Sequence, residues 1–258
     1  MKSIYQNKEF AEYWNDRAGD SGEVYKRFAL DPAMFKLIGS LENKVVLELG
    51  CGNGYLAKKF LNQKPKKVIL MDISEYNLNY AKEKCSDKRI TFLEQNATRK
   101  WRVNSNSIDI IYSVMMLNEV ANIRTPIQEA FRVLKKKGIF TFAIVHPSWN
   151  LFAFAQEQIG VEPKKFKGLK NYFYRGHVKY VMGVDNKARP ELAEKYKKTF
   201  EVDHFQKTFS DYFNQLTVSG FVVKKVLEPE ITKALLKAAP RFSEKLDYPV
   251  GLIFHCVK

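Results

Sequence analysis

With 258 residues, 45% hydrophobic and 14% aromatic, the chain can bury one full core, and single α/β domains run to about 250 residues. No run of about 18 apolar residues offers a membrane span, and Met1 to Phe10 are too polar for a signal peptide, so a cytoplasmic protein with no membrane partner is expected. Cys51, Cys85 and Cys256 are scattered and odd in number, which supports neither a disulfide framework nor a CxxC metal site. His146, His177, His204 and His255 lack metal-ligand spacing, so no metal is expected, while the formal net charge of +15 requires a nucleic-acid partner to be weighed.

In the N-terminal segment, Tyr13 and Arg17 are spaced to share one face of a helix. An apolar strand, Val45 to Leu49, then runs into Gly50-Cys51-Gly52-Asn53-Gly54. Glycine tolerates positive φ and has no Cβ, so such a turn passes close under a bulky ligand. Helix one is expected from near Tyr55 to before Pro65. Lys67 to Asp72 reads as a second buried strand ending in a carboxylate, the position of a ribose-binding acid in a βαβ nucleotide fold. A dinucleotide loop requires a small residue at its third conserved position; the bulky Tyr55 fills that place, which disfavours NAD.

Ser74 is a plausible N-cap for a helix over Glu75 to Lys84. Phe92 to Ala97 resembles the end of a third strand, and Ile108 to Ser113 a fourth strand. A fourth helix is expected with Thr125 as cap and Pro126 at its first position, leading to a fifth strand that ends at Val145-His146-Pro147. Strands alternating with helices from residue 44 to 145 imply parallel pairing through right-handed crossovers.

Glu48-Leu49-Gly50-Cys51-Gly52-Asn53-Gly54 followed by Asp72 resembles the first two motifs of the class I S-adenosylmethionine-dependent methyltransferases. Residues 92–97, 108–113 and 129–138 resemble the later motifs in order. The resemblance implies an α/β fold: a Rossmann-like doubly wound sheet of seven strands, mostly parallel, with a C-terminal antiparallel hairpin. It implies S-adenosyl-L-methionine as cofactor and S-adenosyl-L-homocysteine as product. Asp72 would take the ribose hydroxyls, since a carboxylate accepts two hydrogen bonds at once, or would simply favour a helix N-terminus. Ile73 would pack on adenine, and Asn96 and Ala97 would contact it, with Asn96 alternatively capping a turn. Gly50, Cys51, Gly52 and Gly54 form the loop, and Glu48 lies near the cofactor's amino group, because buried acids need partners. Ser113 with Val114, Met115 and Met116 would line the methionine arm, and Asn118 and Glu119 follow in the same loop. Tyr13 and Arg17, in a segment like the helical cover of small-molecule methyltransferases, would close over the cofactor.

The expected organisation is one domain over 1–258: a helical cover (1–43), the cofactor-binding core (44–147), an inserted lid (148–208), and a C-terminal helix and strands (209–258). Within the lid, Val161 to Phe200 carries eleven Lys or Arg against four acids, interleaved with aromatics such as Phe166, Tyr172, Phe173, Tyr174 and Tyr180. That mixture suits an anionic or aromatic small molecule, or a nucleic acid. The lysine clusters at 64–67 and 135–137 lie at the opposite edge of the sheet and read as solvated faces. Should the acceptor arrive protonated, His146 is the first candidate base and His204 the second, although His146 would equally serve as a satisfied histidine ordering the lid. The leading expectation is methyl transfer to a small-molecule acceptor; an RNA methyltransferase and a catalytically silent cofactor-binding protein are the alternatives.

Overall fold

The computed structural model describes residues 3–148, 172–182, 190–197, 199–246 and 249–258. Its centre is a seven-stranded sheet built from β1 (Val45–Leu49), β2 (Lys67–Asp72), β3 (Ile90–Glu94), β4 (Ile108–Val114), β5 (Leu134–Val145), β8 (Val222–Leu227) and β9 (Gly251–Val257), in the order β3-β2-β1-β4-β5-β9-β8. The pairs from β3 through β5 are parallel, whereas β9 runs antiparallel to both β5 and β8. This is the Rossmann-like sheet with an antiparallel C-terminal hairpin that the motifs imply.

Each central strand is apolar on both sides because helices cover both faces. Val46, Val68, Leu70, Ile110 and Tyr112 face a core shared with α2 (Asp31–Ile38), α3 (Ala57–Leu61) and α4 (Glu75–Lys84). Their sequence neighbours Leu47, Ile69, Met71 and Ile111 face a second core with α5 (Arg124–Val133). The period-two alternation of strand side chains thus divides one run of hydrophobics between two layers.

Local signals set most boundaries. Strand β2 spans the apolar run of residues 68–71 with Lys67 and Asp72 at its two ends, and α4 is capped by Ser74, whose Oγ accepts the Asn77 N–H at 3.3 Å. The start of α5 differs from the expectation: Thr125 lies inside the first turn, and the Asn122 side chain accepts the Arg124 N–H at 2.8 Å in its place. The lysine run 135–137 belongs to β5 itself, with Lys135 Nζ bonded 2.9 Å from both oxygens of Asp109.

Between β5 and the sheet's last two strands the chain forms an antiparallel ribbon, β6 (Gly176–Met182) with β7 (Phe200–Gln206), preceded on the β7 side by a short helix α6 (Pro190–Lys195) and followed by α7 (Phe209–Val218). Alternation buries Phe200, Val202, His204 and Gln206 on one face of β7. Phe200 and Val202 join Leu192 and Tyr196 in a third cluster with Phe10 and Tyr13 of α1 (Lys8–Ala18). Phe166 and much of the basic stretch expected over the site lie outside the described residues.

Gly54 has φ +70°, and a Cβ there would stand 2.7 Å from the Ala81 Cβ of α4. Gly54→Ala should therefore destabilise the protein by about 1–3 kcal/mol through strain and overpacking. Urea denaturation checks this, and an unchanged midpoint would show that the loop and α4 are not packed this closely.

Candidate functional site

The strand order reverses direction between β1 and β4, and in open α/β sheets ligands bind outside the carboxyl ends of the strands at such a point. A cavity of about 1360 Å³ lies there, lined by Glu48 of β1, the loop residues Gly50, Cys51, Gly52 and Asn53, and Asp72 with Ile73 after β2. Asn96 and Ala97 after β3, and Val114 to Met116 with Asn118 and Glu119 after β4, complete the strand-end wall. The N-terminal segment adds Tyr13, Trp14, Arg17 and Tyr25, and the ribbon contributes His177, Lys179, Asp203 and Phe205.

The glycine loop hangs from the end of β2. Gly50 and Cys51 both donate their N–H groups to the Met71 carbonyl, at 2.8 and 3.0 Å. Gly52 donates to Asp72 Oδ2 at 2.8 Å, and Ser74 N–H reaches Asp72 Oδ1 at 2.9 Å. Asp72 is buried, and that burial raises its carboxyl above the usual range while the Ser74 and Gly52 donors pull it back.

The glycines are needed for different reasons. At Gly50 a Cβ would collide with the Met116 side chain at 2.6 Å, and at Gly54 with Ala81; both make room for protein. At Gly52, where φ is +53°, the nearest atom to an added Cβ is Trp14 Nε1 at 3.6 Å, so this bare α-carbon faces the cavity. Gly54 is not among the lining residues.

Across the loop, Asn53 is buried and its amide donates to Asn15 Oδ1 at 3.1 Å and to the Gly19 carbonyl at 3.0 Å, latching α1 onto the turn. Arg17 Nη1 donates to the Tyr13 hydroxyl at 3.0 Å and its Nε to Glu23 at 2.6 Å. The predicted pair therefore shares a face at the cavity, with Glu23 as a further partner.

Ser113 and His146, like Gly54 and His204, lie outside the cavity wall. Ser113 is buried with its hydroxyl donating to the Leu49 carbonyl at 2.8 Å, tying β4 to β1, and is not in the cavity wall. His146 engages Ser148 Oγ at 2.6 Å through Nδ1 and Glu228 at 2.9 Å through Nε2, and it too is absent from the wall. Burial lowers the His146 imidazole, and Glu228 opposes the shift. Among the described residues, that histidine orders the turn after β5. The other candidate, His204, is buried on β7 with Nδ1 3.7 Å from Glu119 Oε1.

Asn96 Oδ1 accepts from both the backbone N–H and the hydroxyl of Thr98 at 2.8 Å, so it closes a turn at the cavity's edge. The far wall consists of Val24, Tyr25, Val145, Ala239, Phe242 and Val250, with Tyr25 and Phe242 stacked at a centroid separation of 5.7 Å. No periodicity in the sequence joins residue 25 to residue 242.

Glu48 is 3% exposed, lines the cavity and has no hydrogen-bond partner for Oε2. An orphaned buried carboxyl beside an open glycine α-carbon and a second carboxylate fits a ligand presenting an ammonium and vicinal hydroxyls.

A family model described as a methyltransferase domain matches residues 47–142. A ubiquinone biosynthesis O-methyltransferase of Hydrogenovibrio crunogenus is 27% identical over 156 residues, covering 58% of this chain and 64% of that protein. A malonyl-[acyl-carrier protein] O-methyltransferase of Hamiltonella defensa is 24% identical over 131 residues, covering 50% of this chain and 49% of that protein. The match thus spans from about half to just under two-thirds of these curated relatives. An S-adenosylmethionine-dependent methyltransferase from Mesorhizobium loti superposes with a TM-score of 0.71 at 22% identity, covering 93% of this chain and 100% of that structure, a likeness of fold.

Burial raises the Glu48 carboxyl well above its ordinary value, with Asp31 adding to the rise. Its contribution to stability is therefore fully present below the unfolded value of about 4.3 and is lost as pH rises through the folded one. Glu48→Gln, which cannot ionise, should gain stability relative to the unsubstituted protein as pH rises from about 5 to 8. Denaturant midpoints at several pH values measure this; a constant difference would contradict it.

Proposed function

The chain belongs to the class I S-adenosylmethionine-dependent methyltransferase superfamily, and on that premise we propose that it transfers a methyl group to an oxygen of a small, flat and largely apolar acceptor. The observation that carries this reading is the single cavity into which the Gly52 α-carbon, the Asp72 and Glu48 carboxyls and the Tyr25–Phe242 wall all open. Its volume of about 1360 Å³ exceeds the roughly 300–1,000 Å³ of ordinary ligand pockets, which leaves room for a donor and an acceptor together. Two of the curated relatives are named as O-methyltransferases, which supports oxygen as the methylated atom.

When bound, the cofactor supplies an electrophilic methyl group on a sulfonium with a good leaving group. The chain's own residues then align and enclose. Asp72, its carboxylate already fixed by two backbone N–H groups, would hold the sugar hydroxyls. Glu48 would take the amino group, and Ile73, Asn96 and Ala97 would surround the base. The stacked aromatic wall would orient a planar acceptor, whose hydroxyl proton would be released to solvent as the methyl group is accepted, and α1 with the ribbon would shield the reacting atoms, so that alignment supplies most of the rate.

Incubation with methyl-labelled S-adenosyl-L-methionine and a panel of hydroxylated aromatic metabolites should give labelled product and S-adenosyl-L-homocysteine in equal amounts. Tight binding of the donor without turnover on any of them would instead favour a silent binding protein. Asp72→Asn should weaken S-adenosyl-L-homocysteine binding by about 1.5–3 kcal/mol, the scale of charge-assisted hydrogen bonds. Calorimetry decides this, and equal affinity would remove Asp72 from the site.

A further inference from the structure

Two buried carboxyl side chains share one tyrosine neighbour: Tyr112 pairs with Glu48 in the β1–β4 register and donates its hydroxyl to Asp31. Asp31, the first residue of α2, is 2% exposed. Its Oδ1 accepts from the Tyr55 hydroxyl at 3.1 Å and the Tyr112 hydroxyl at 3.2 Å, and its Oδ2 from Lys59 Nζ at 3.3 Å. These donors pull the Asp31 carboxyl down against a burial that still leaves it above its ordinary value, while burial raises Glu48 well above its own. No such donor reaches Glu48 Oε2.

The charged groups around Glu48 come from every neighbouring element: Asp31 from α2, Asp72 from β2, Lys59 from α3, and Lys26 from the turn of helix that precedes α2. Tyr55, Tyr112 and Cys51 are the neutral titratable groups nearby. Lys59 is committed to Asp31 and to the face of the Tyr55 ring at 5.6 Å, and Lys26 lies over the Trp14 ring at 5.2 Å. Neither cation hydrogen-bonds Glu48 among the described residues. A buried carboxyl with no donor at Oε2, beside a carboxyl supplied with three, is the member of the pair that takes the proton.

We propose that Asp31 is a positioning residue that keeps Glu48 protonated while the cavity is empty, so that a ligand placing an ammonium group beside Glu48 expels one proton to solvent as it binds. This rests on the donor-binding reading above. The proton leaves the Glu48 carboxyl for water, and the ligand's ammonium replaces it as the positive partner of the new carboxylate. Because the occupied state holds fewer protons than the empty one, affinity rises with pH until Glu48 is ionised in the empty protein too. Desolvation stores the linkage, and Asp31, which has no place in the cavity wall, sets its range.

The test is calorimetry with S-adenosyl-L-homocysteine in buffers of different ionisation enthalpy, between about pH 6 and pH 7.5, where the ligand's amino group stays charged. The full chain should release close to one proton per ligand, with affinity rising towards tenfold per pH unit. Glu48→Gln should bind more weakly, release essentially none and lose the pH dependence. Asp31→Asn should release clearly less at pH 7, a readout that a purely structural role for Asp31 would not move. Lys59→Met, at a half-exposed side chain, removes the cation that offsets Asp31 and should carry the steep range to higher pH, which keeps Asp31 testable if the asparagine variant does not fold. Binding by the unsubstituted protein with no proton exchange, or an unshifted pH profile in both Asp31→Asn and Lys59→Met, overturns the proposal and leaves the donor-binding reading standing. Failure of the ligand to bind at all overturns both.

Discussion

The Asp72 carboxylate receives one backbone N–H from the glycine loop and one from the start of α4. This small contact joins three pieces of chain: the end of β2, the turn after β1 and the first turn of the next helix. Parallel pairing sets Leu49 opposite Met71, so the loop leaves β1 level with the Met71 carbonyl, and Asp72 is the next side chain available. With the loop held from below, each glycine is assigned: Met116 fills the space over Gly50, α4 closes on Gly54, and Gly52 is left facing the cavity. A carboxylate held by two N–H groups keeps lone pairs for a ligand, so the contact that shapes the turn also presents the acid.

Enclosure depends on a different set of interactions. Asn53 connects the loop to Asn15 and Gly19, and the cluster of Phe10, Tyr13, Phe200 and Val202 connects α1 to the ribbon. Cover and loop are therefore mechanically continuous, and a ligand touching Gly52 would bear on both. On the opposite side, Lys207 Nζ donates to the Val120 carbonyl at 2.7 Å, docking the end of β7 on the segment after β4. Burial lowers that lysine to about 8, with Glu119 opposing the shift. Gln206 Nε2 also donates to the Pro147 carbonyl at 3.2 Å, so apolar and polar attachments together hold the ribbon.

Much of this was readable from residues alone, for reasons the structure makes plain. Strands β1, β2 and β4 are short, mostly apolar runs because both their faces are buried, and Ser74 announces α4 because its side chain has one local task. The readings that went astray depended on distant partners. Thr125 has the chemistry of a cap, but Asn122 reached the free N–H first. The β7 alternation uses His204 and Gln206 as buried members, which hides its period. His146 follows β5, and its contact with Glu228, far along the chain, has no counterpart in local sequence. Asp31 gave no signal, since its partners Tyr55, Tyr112 and Lys59 converge only in three dimensions, and the Tyr25–Phe242 wall joins opposite ends of the chain. The basic character of residues 161–200 falls largely outside the described residues, and the described cavity wall carries acids and bases in near balance: Glu23, Glu48, Asp72, Glu119 and Asp203 against Arg17, Lys26, Lys179 and Arg241.

A crystal structure of the full chain with S-adenosyl-L-homocysteine tests the central claim most directly. The account predicts the sugar against Asp72, the amino group at Glu48, the ligand passing over the bare α-carbon of Gly52, and the sulfur facing the Tyr25–Phe242 side of the cavity. Ligand density elsewhere, or a sugar with no contact to Asp72, would contradict it.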